Sequence, residues 1–195
     1  MLSEARGCKF FYLENIKLIL NYGSMLDKTL YLGSLYEKFH KRIFDFLYKY
    51  TNNQEVASDL MQETFFSYFR SYGDSNLPPE KAIMVLYTIA RNTSINYSKK
   101  FSTVKENASN VDIYQSKKTS FEKKEELKDM EMRLQQCLAL LPEDQRVALI
   151  MKNMKDMTLM EIAEVMELSI STVSRLVVKA TARLLELAEK HGIAP

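Results

Sequence analysis

The chain has 195 residues, with 27 Lys and Arg against 25 Asp and Glu for a net charge of +2, and only 5 Gly and 4 Pro. That length holds one or two modest domains, the balanced charge does not by itself announce a nucleic-acid partner, and the scarcity of turn formers beside plentiful Leu, Met, Lys and Glu favours an all-α fold over strands. Cys8, Cys137, His40 and His191 are the only cysteines and histidines and show no zinc-ligand spacing or Ser/His/Asp set, so no metal, cofactor or catalytic residue is assigned, and a reducing cytoplasm is the natural setting.

The N-terminal stretch CKFFYLENIKLIL is broken by Glu14, Asn15 and Lys17 well before the roughly 20 apolar residues that a membrane span needs. It also lacks the small-residue cleavage site of a secretory leader. Residues 1–34 are therefore an extension of unknown role, and Met25 is an alternative start. Helical spacing begins at Leu35 and places Leu35, Phe39, Ile43, Phe46, Leu47 and Tyr50 on one side.

A second helix is predicted over 53–72, with Ala57, Leu60, Met61, Thr64, Phe65 and Tyr68 inward. Asp59, Gln62, Glu63, Phe66 and Arg70 fall on the opposite side. An aromatic among Asp, Gln and Glu has the chemistry of a protein-interface anchor, although a single exposed aromatic on a solvated face is ordinary. Gly73, Pro78 and Pro79 then mark a loop. A third helix over 79–100 turns Ile83, Leu86, Tyr87, Ala90, Ser94 and Tyr97 inward, leaving Thr88, Asn92, Asn96 and Lys99 outward, with Arg91 and Lys100 alongside. Asparagine amides followed by a cation suit nucleic-acid edges and backbone; a merely wet polar face has the same composition.

The segment 101–120 is polar, lacks a sustained period and reads as a flexible linker. Helical spacing returns over 121–141, Pro142 breaks it, and 143–154 makes a further helix. From Thr158 to Leu184 two short amphipathic helices meet in a tight turn. Thr158 and Glu161 form a capping box, Ile162, Ala163, Val165 and Met166 give the first helix its buried side, and Ile170, Val173, Val177, Ala180 and Leu184 stripe the second. Ser171, Ser174, Arg175 and Val178 point away from that stripe, and from Leu168 to Leu185 every charged residue before the last turn, Arg175, Lys179 and Arg183, is basic. This is a helix-turn-helix pattern whose second helix opens on short polar side chains followed by cations, which suits entry into a major groove; such units also occur as plain packing motifs.

Three blocks in order, ASDLMQETFFSYFR (57–70), YTIARNTSINYSKK (87–100) and LPEDQRVALIMKNMKDMTLMEIAEVMELSISTVSRLVVKA (141–180), together resemble the extracytoplasmic-function (ECF) sigma factors of bacterial RNA polymerase. The resemblance covers about 35–188 and implies two small helical domains with a linker between them. These are a region 2-like domain at 35–100, the linker at 101–120, and a region 4-like helix-turn-helix domain at 121–190. It implies that Asp59, Gln62, Glu63 and Phe66 face the clamp helices of the polymerase core. Arg91, Asn92, Asn96 and Lys99 would bind the promoter minus-10 element, and Ser171, Thr172, Ser174, Arg175 and Lys179 the minus-35 duplex. Polymerase core and promoter DNA are the implied partners, without membrane insertion, and an anti-sigma protein is a further partner that the resemblance leaves open. The recognition helix departs from the family in its few cations and in the apolar pair Val177-Val178. A helix-turn-helix repressor with an N-terminal sensor domain and a helical enzyme with a structural helix-turn-helix are the alternatives.

Overall fold

A computed structural model of the chain describes the backbone of residues 4–107, 122–154 and 157–193 and the side chains of 28–100, 129–154 and 157–193. Among these residues the regular structure is seven helices: α1 (Glu4–Thr51), α2 (Gln54–Tyr72), α3 (Pro79–Asn107), α4 (Glu122–Ala139), α5 (Glu143–Lys152), α6 (Leu159–Met166) and α7 (Ile170–Lys190).

Two boundaries differ from the sequence expectation. The first helix begins at Glu4 instead of Leu35, and α3 continues to Asn107, so the first part of the predicted linker, 101–107, is helical; the rest of it lies outside the described residues. Interior apolar periodicity finds the buried part of a helix, and no Pro or Gly at 101–107 forces a stop.

The turn between α1 and α2 is made by Asn52, at φ 51, in the left-handed region that Asn tolerates. Asn53 follows as N-cap, its Oδ1 accepting from Val56 N at 3.1 Å. All six inward residues predicted for the start of the core, Leu35, Phe39, Ile43, Phe46, Leu47 and Tyr50, are buried, as are the six predicted for α2. On α3, Ile83, Leu86, Tyr87, Ala90 and Ser94 are buried and Tyr97 is half-buried. Phe46 meets Tyr87 edge to face, centroids 6.0 Å apart at 88°, an arrangement that adds about 1 kcal/mol to area burial. The loop after α2 is tied back onto α1 by the Tyr31 hydroxyl donating to Leu77 O and by the Lys28–Asp74 ion pair.

The three-helix core does not stop at the first domain. One cluster of buried side chains runs from Leu35 through Ala90 to Val147, Met151, Ile162, Val165 and Val173, so α5 and α6 pack on α1 and α3. A smaller cluster of Leu141, Leu149 and Ala180, with Leu138, Val177, Leu184 and Leu187 against it, joins α4 to α7.

Candidate nucleic-acid interface

On α2 the residues expected at the polymerase contact share one outward stripe. Asp59, Gln62 and Glu63 are exposed, and Phe66 is 63% exposed with the Arg70 guanidinium 5.9 Å from its ring centroid. Phe69 and Tyr72, at 40% and 37% exposure, carry aromatic surface on down the helix. The sequence reading did not name them, although their spacing of three from Phe66 was visible.

The α3 set divides. Asn92, Asn96 and Lys99 are exposed and lie about a turn apart along the helix. Arg91 instead turns toward the second half of the chain: its side chain is 18% exposed, and its NH2 lies 3.4 Å from Asp144 Oδ1 on α5. Periodicity placed Arg91 beside the Asn strip, but a long guanidinium on the flank of a helix goes to the nearest carboxylate, and only the packing of α5 on α1 and of α6 on α3 brings Asp144 within its reach.

The helix-turn-helix is built from its caps. Thr158 Oγ1 accepts from Glu161 N at 3.2 Å, while Glu161 Oε2 accepts from Thr158 N at 2.8 Å and from the Thr158 hydroxyl at 2.8 Å, completing the predicted capping box. These bonds, the backbone one foremost, hold the Glu161 carboxyl below its ordinary pKa; the Arg42 charge adds to this and burial opposes it. Glu167 ends α6 at φ 56, and Leu168 N donates to Ala163 O at 3.0 Å, closing the turn. Ser169 then caps α7, its Oγ accepting from Thr172 N at 3.2 Å and lying 2.8 Å from Thr172 Oγ1.

On α7, Ser171, Arg175 and Lys179 are exposed and Thr172 and Ser174 half-buried. The first turn carries no acidic residue, so the positive end of the helix dipole remains open toward phosphate. Arg175 NH2 lies 3.4 Å from Thr172 Oγ1, so the one cation near the helix start leans on the hydroxyl cluster. Of the expected stripe Val173 and Ala180 are buried, Val177 and Leu184 half-buried, and Ile170 49% exposed, because the first residue of a helix projects past the turn that would otherwise cover it. The Val177-Val178 pair separates as well. Val177 packs against both apolar clusters, whereas Val178 is 66% exposed on the outward stripe.

The junction between the two halves is polar at its rim. Besides Arg91–Asp144, Lys81 Nζ pairs with Glu164 Oε1 at 2.9 Å. Arg146 sits 4.2 Å from the Tyr50 ring centroid and donates to the Tyr50 hydroxyl at 3.0 Å. Among the described residues no group of His, Cys, Asp and Glu is arranged to hold a metal, and no helix is long and apolar enough to cross a membrane.

Two family models match the chain in this order: sigma-70 region 2 over 35–102 and sigma-70 region 4 over 131–184. The chain is 26% identical over 160 residues to the ECF RNA polymerase sigma factor SigM of Bacillus subtilis (strain 168), covering 78% of this chain and 92% of SigM. It is 26% identical over 162 residues to the RNA polymerase sigma factor YlaC of the same strain, covering 78% of this chain and 89% of YlaC. Its fold is that of CnrH, solved with the cytosolic domain of CnrY (TM-score 0.59, 18% identity, 82% of this chain and 88% of that one). It is also that of the sigma factor RpoE, solved with the anti-sigma factor NepR from Bartonella quintana (TM-score 0.54, 21% identity, 85% of this chain and 96% of that one). With both sigma regions in order on one chain, and a capped helix-turn-helix within the second, the chain belongs to the ECF sigma factors of bacterial RNA polymerase, a family of non-catalytic transcription initiation factors.

Proposed function

We propose that this chain is an adaptor that makes and breaks no bond: it joins core polymerase to two promoter elements in the cytoplasm and helps to open the DNA between them. The Phe66-centred stripe of α2, with Asp59, Gln62 and Glu63, docks on the polymerase clamp. Asn92, Asn96 and Lys99 of α3, together with Arg91 once it leaves Asp144, hold the separated minus-10 strand. The start of α7, with Ser171, Thr172, Ser174 and Arg175, enters the minus-35 major groove while Lys179 meets phosphate. Strand opening is driven by binding, because the cost of unstacking a base, a few kcal/mol, is offset by capturing it and coating the single strand.

The observation that carries this reading is the coexistence of two exposed interfaces of different chemistry on one framework: an aromatic amid carboxylates on α2 and an acid-free helix start on α7. An anti-sigma protein is a further proposed partner. Met130, Met132, Leu134 and Leu140 in and after α4 offer it exposed apolar surface, and the solved relative RpoE is bound by such a protein. Adding the full chain to core polymerase with a pool of bacterial promoters tests the function. Promoter-dependent transcripts support it, and transcription no better than core alone refutes it.

A further inference from the structure

Resting on that reading of α7, we infer that Val178 reads a thymine methyl group in the minus-35 element. Three observations lead there. Val178 lies three residues beyond Arg175, four beyond Ser174 and seven beyond Ser171, so a 3.6-residue period puts all four side chains on one stripe. It is 66% exposed, while its neighbour Val177 is taken up by the apolar clusters, so packing within the chain does not account for its apolar character. The stripe is also poor in donors suited to guanine: Arg175 is its one cation, and the serines carry single hydroxyls.

An isopropyl group cannot hydrogen-bond. Against the donor and acceptor atoms of a base edge it would strip water and return nothing. The C5-methyl of thymine is the one apolar group that a standard base pair presents in the major groove. Valine also suits the task because its β-branch holds χ1 nearly fixed in a helix, so the two methyls are presented without ordering a flexible chain. Val178 stands about 10 Å along the helix axis from Ser171 at 1.5 Å per residue, so it meets a different base from the one nearest Ser171.

The test separates the methyl from everything else about thymine. Full chain bound to core polymerase selects duplexes from a pool randomised upstream of a fixed minus-10 region. The pool is amplified either with dTTP or with dUTP, which pairs identically but lacks the methyl. For the wild type, preference for T over other bases at one upstream position should fall about fourfold in the deoxyuridine pool, the worth of one buried methyl-sized group. For Val178→Ala the two pools should agree at that position, while enrichment at positions read by Ser171 and Arg175 persists. Equal T-to-U ratios for wild type and Val178→Ala at every position overturn the inference. So does Val178→Ala weakening core-polymerase binding with the ratio unchanged, which would make Val178 a protein contact. If neither pool yields any enriched sequence although the chain is folded by circular dichroism, promoter reading itself fails, and that failure is distinguishable from loss of the methyl effect alone.

Discussion

Glu161 shows how one carboxyl serves a whole motif. It closes the capping box that starts α6, and its pKa is depressed first by the Thr158 backbone N–H and then by the Thr158 hydroxyl. A depressed folded pKa contributes stability that is complete above the unfolded value of about 4.3 and is lost as pH falls through the folded one. Glu161→Gln should therefore flatten the acid limb of stability below about pH 4.3 and cost about 0.3–1 kcal/mol near neutrality, since Gln keeps the capping bond but loses the charge at the helix start. Urea unfolding midpoints of the two proteins between pH 3 and 6 check this; parallel acid limbs would contradict it. Arg175 is the residue to probe on the DNA side. Its alanine variant should lose about 1–3 kcal/mol on minus-35 duplex and relax preference at one base if it grips a base edge. A uniform loss with a shallower salt dependence would place Arg175 on phosphate instead.

Helices are the units in which these surfaces are delivered. On α2 the buried stripe of Ala57, Leu60, Met61, Thr64, Phe65 and Tyr68 holds the helix against α1 and α3, leaving Asp59, Gln62 and Phe66 free to act without a folding role. Asp59→Ala with Gln62→Ala should weaken core-polymerase affinity by about 2 kcal/mol and leave the thermal midpoint near that of the wild type. Unchanged affinity in a titration would remove α2 from the polymerase contact. The turn between α6 and α7 carries a different cost. Glu167 holds a left-handed φ of 56 that a side chain disfavours by about 1 kcal/mol. Because glycine adopts it without strain, Glu167→Gly should raise stability by a few tenths to about 1 kcal/mol, measurable by denaturant unfolding, with minus-35 binding retained. A destabilised variant would show that the Glu167 side chain has an unrecognised partner.

At the scale of the molecule, the packing of α5 and α6 on α1 and α3 brings both proposed DNA-reading surfaces onto one body. A minus-10 and a minus-35 element are about 25 base pairs apart, or roughly 85 Å of duplex at 3.4 Å per step, further than two small domains in direct contact reach. Engagement of both elements therefore requires the junction to open, releasing Arg91 from Asp144 and Lys81 from Glu164. Pairs with at least one solvent-exposed partner, as both of these have, are worth about 0–1 kcal/mol each, so the junction is weakly latched at its rim and held chiefly by apolar burial. Reversing both acids, Asp144→Lys with Glu164→Lys, should expand the free chain in small-angle scattering while core-polymerase binding is kept or strengthened. An unchanged radius of gyration would mean that the rim charges do not govern opening. The shared core also bears on proteolysis. Cleavage in 108–120, the part of the predicted 101–120 linker beyond α3, should leave the two pieces associated under native conditions and separable by mild denaturant.

The sequence alone determined the helical class, the inward stripes of α1, α2, α3 and α6, the capping box and the helix-turn-helix, because each depends on neighbours within one or two turns and is written as a period of 3.6 or a cap at fixed spacing. It also named the outward residues of α2, since an outward face is the complement of an inward one. It also set Val177 inward and Val178 outward on α7, but it did not determine the fate of Arg91 or of Ile170. Those depend on what packs alongside: α5 supplies the carboxylate that draws Arg91 inward, and the first residue of α7 is left 49% exposed. Local pattern fixes which way a side chain faces relative to its own helix axis. Whether that direction ends in core, in a neighbouring charge or in an open groove is decided by contacts between residues far apart in sequence, which a period along the chain does not encode.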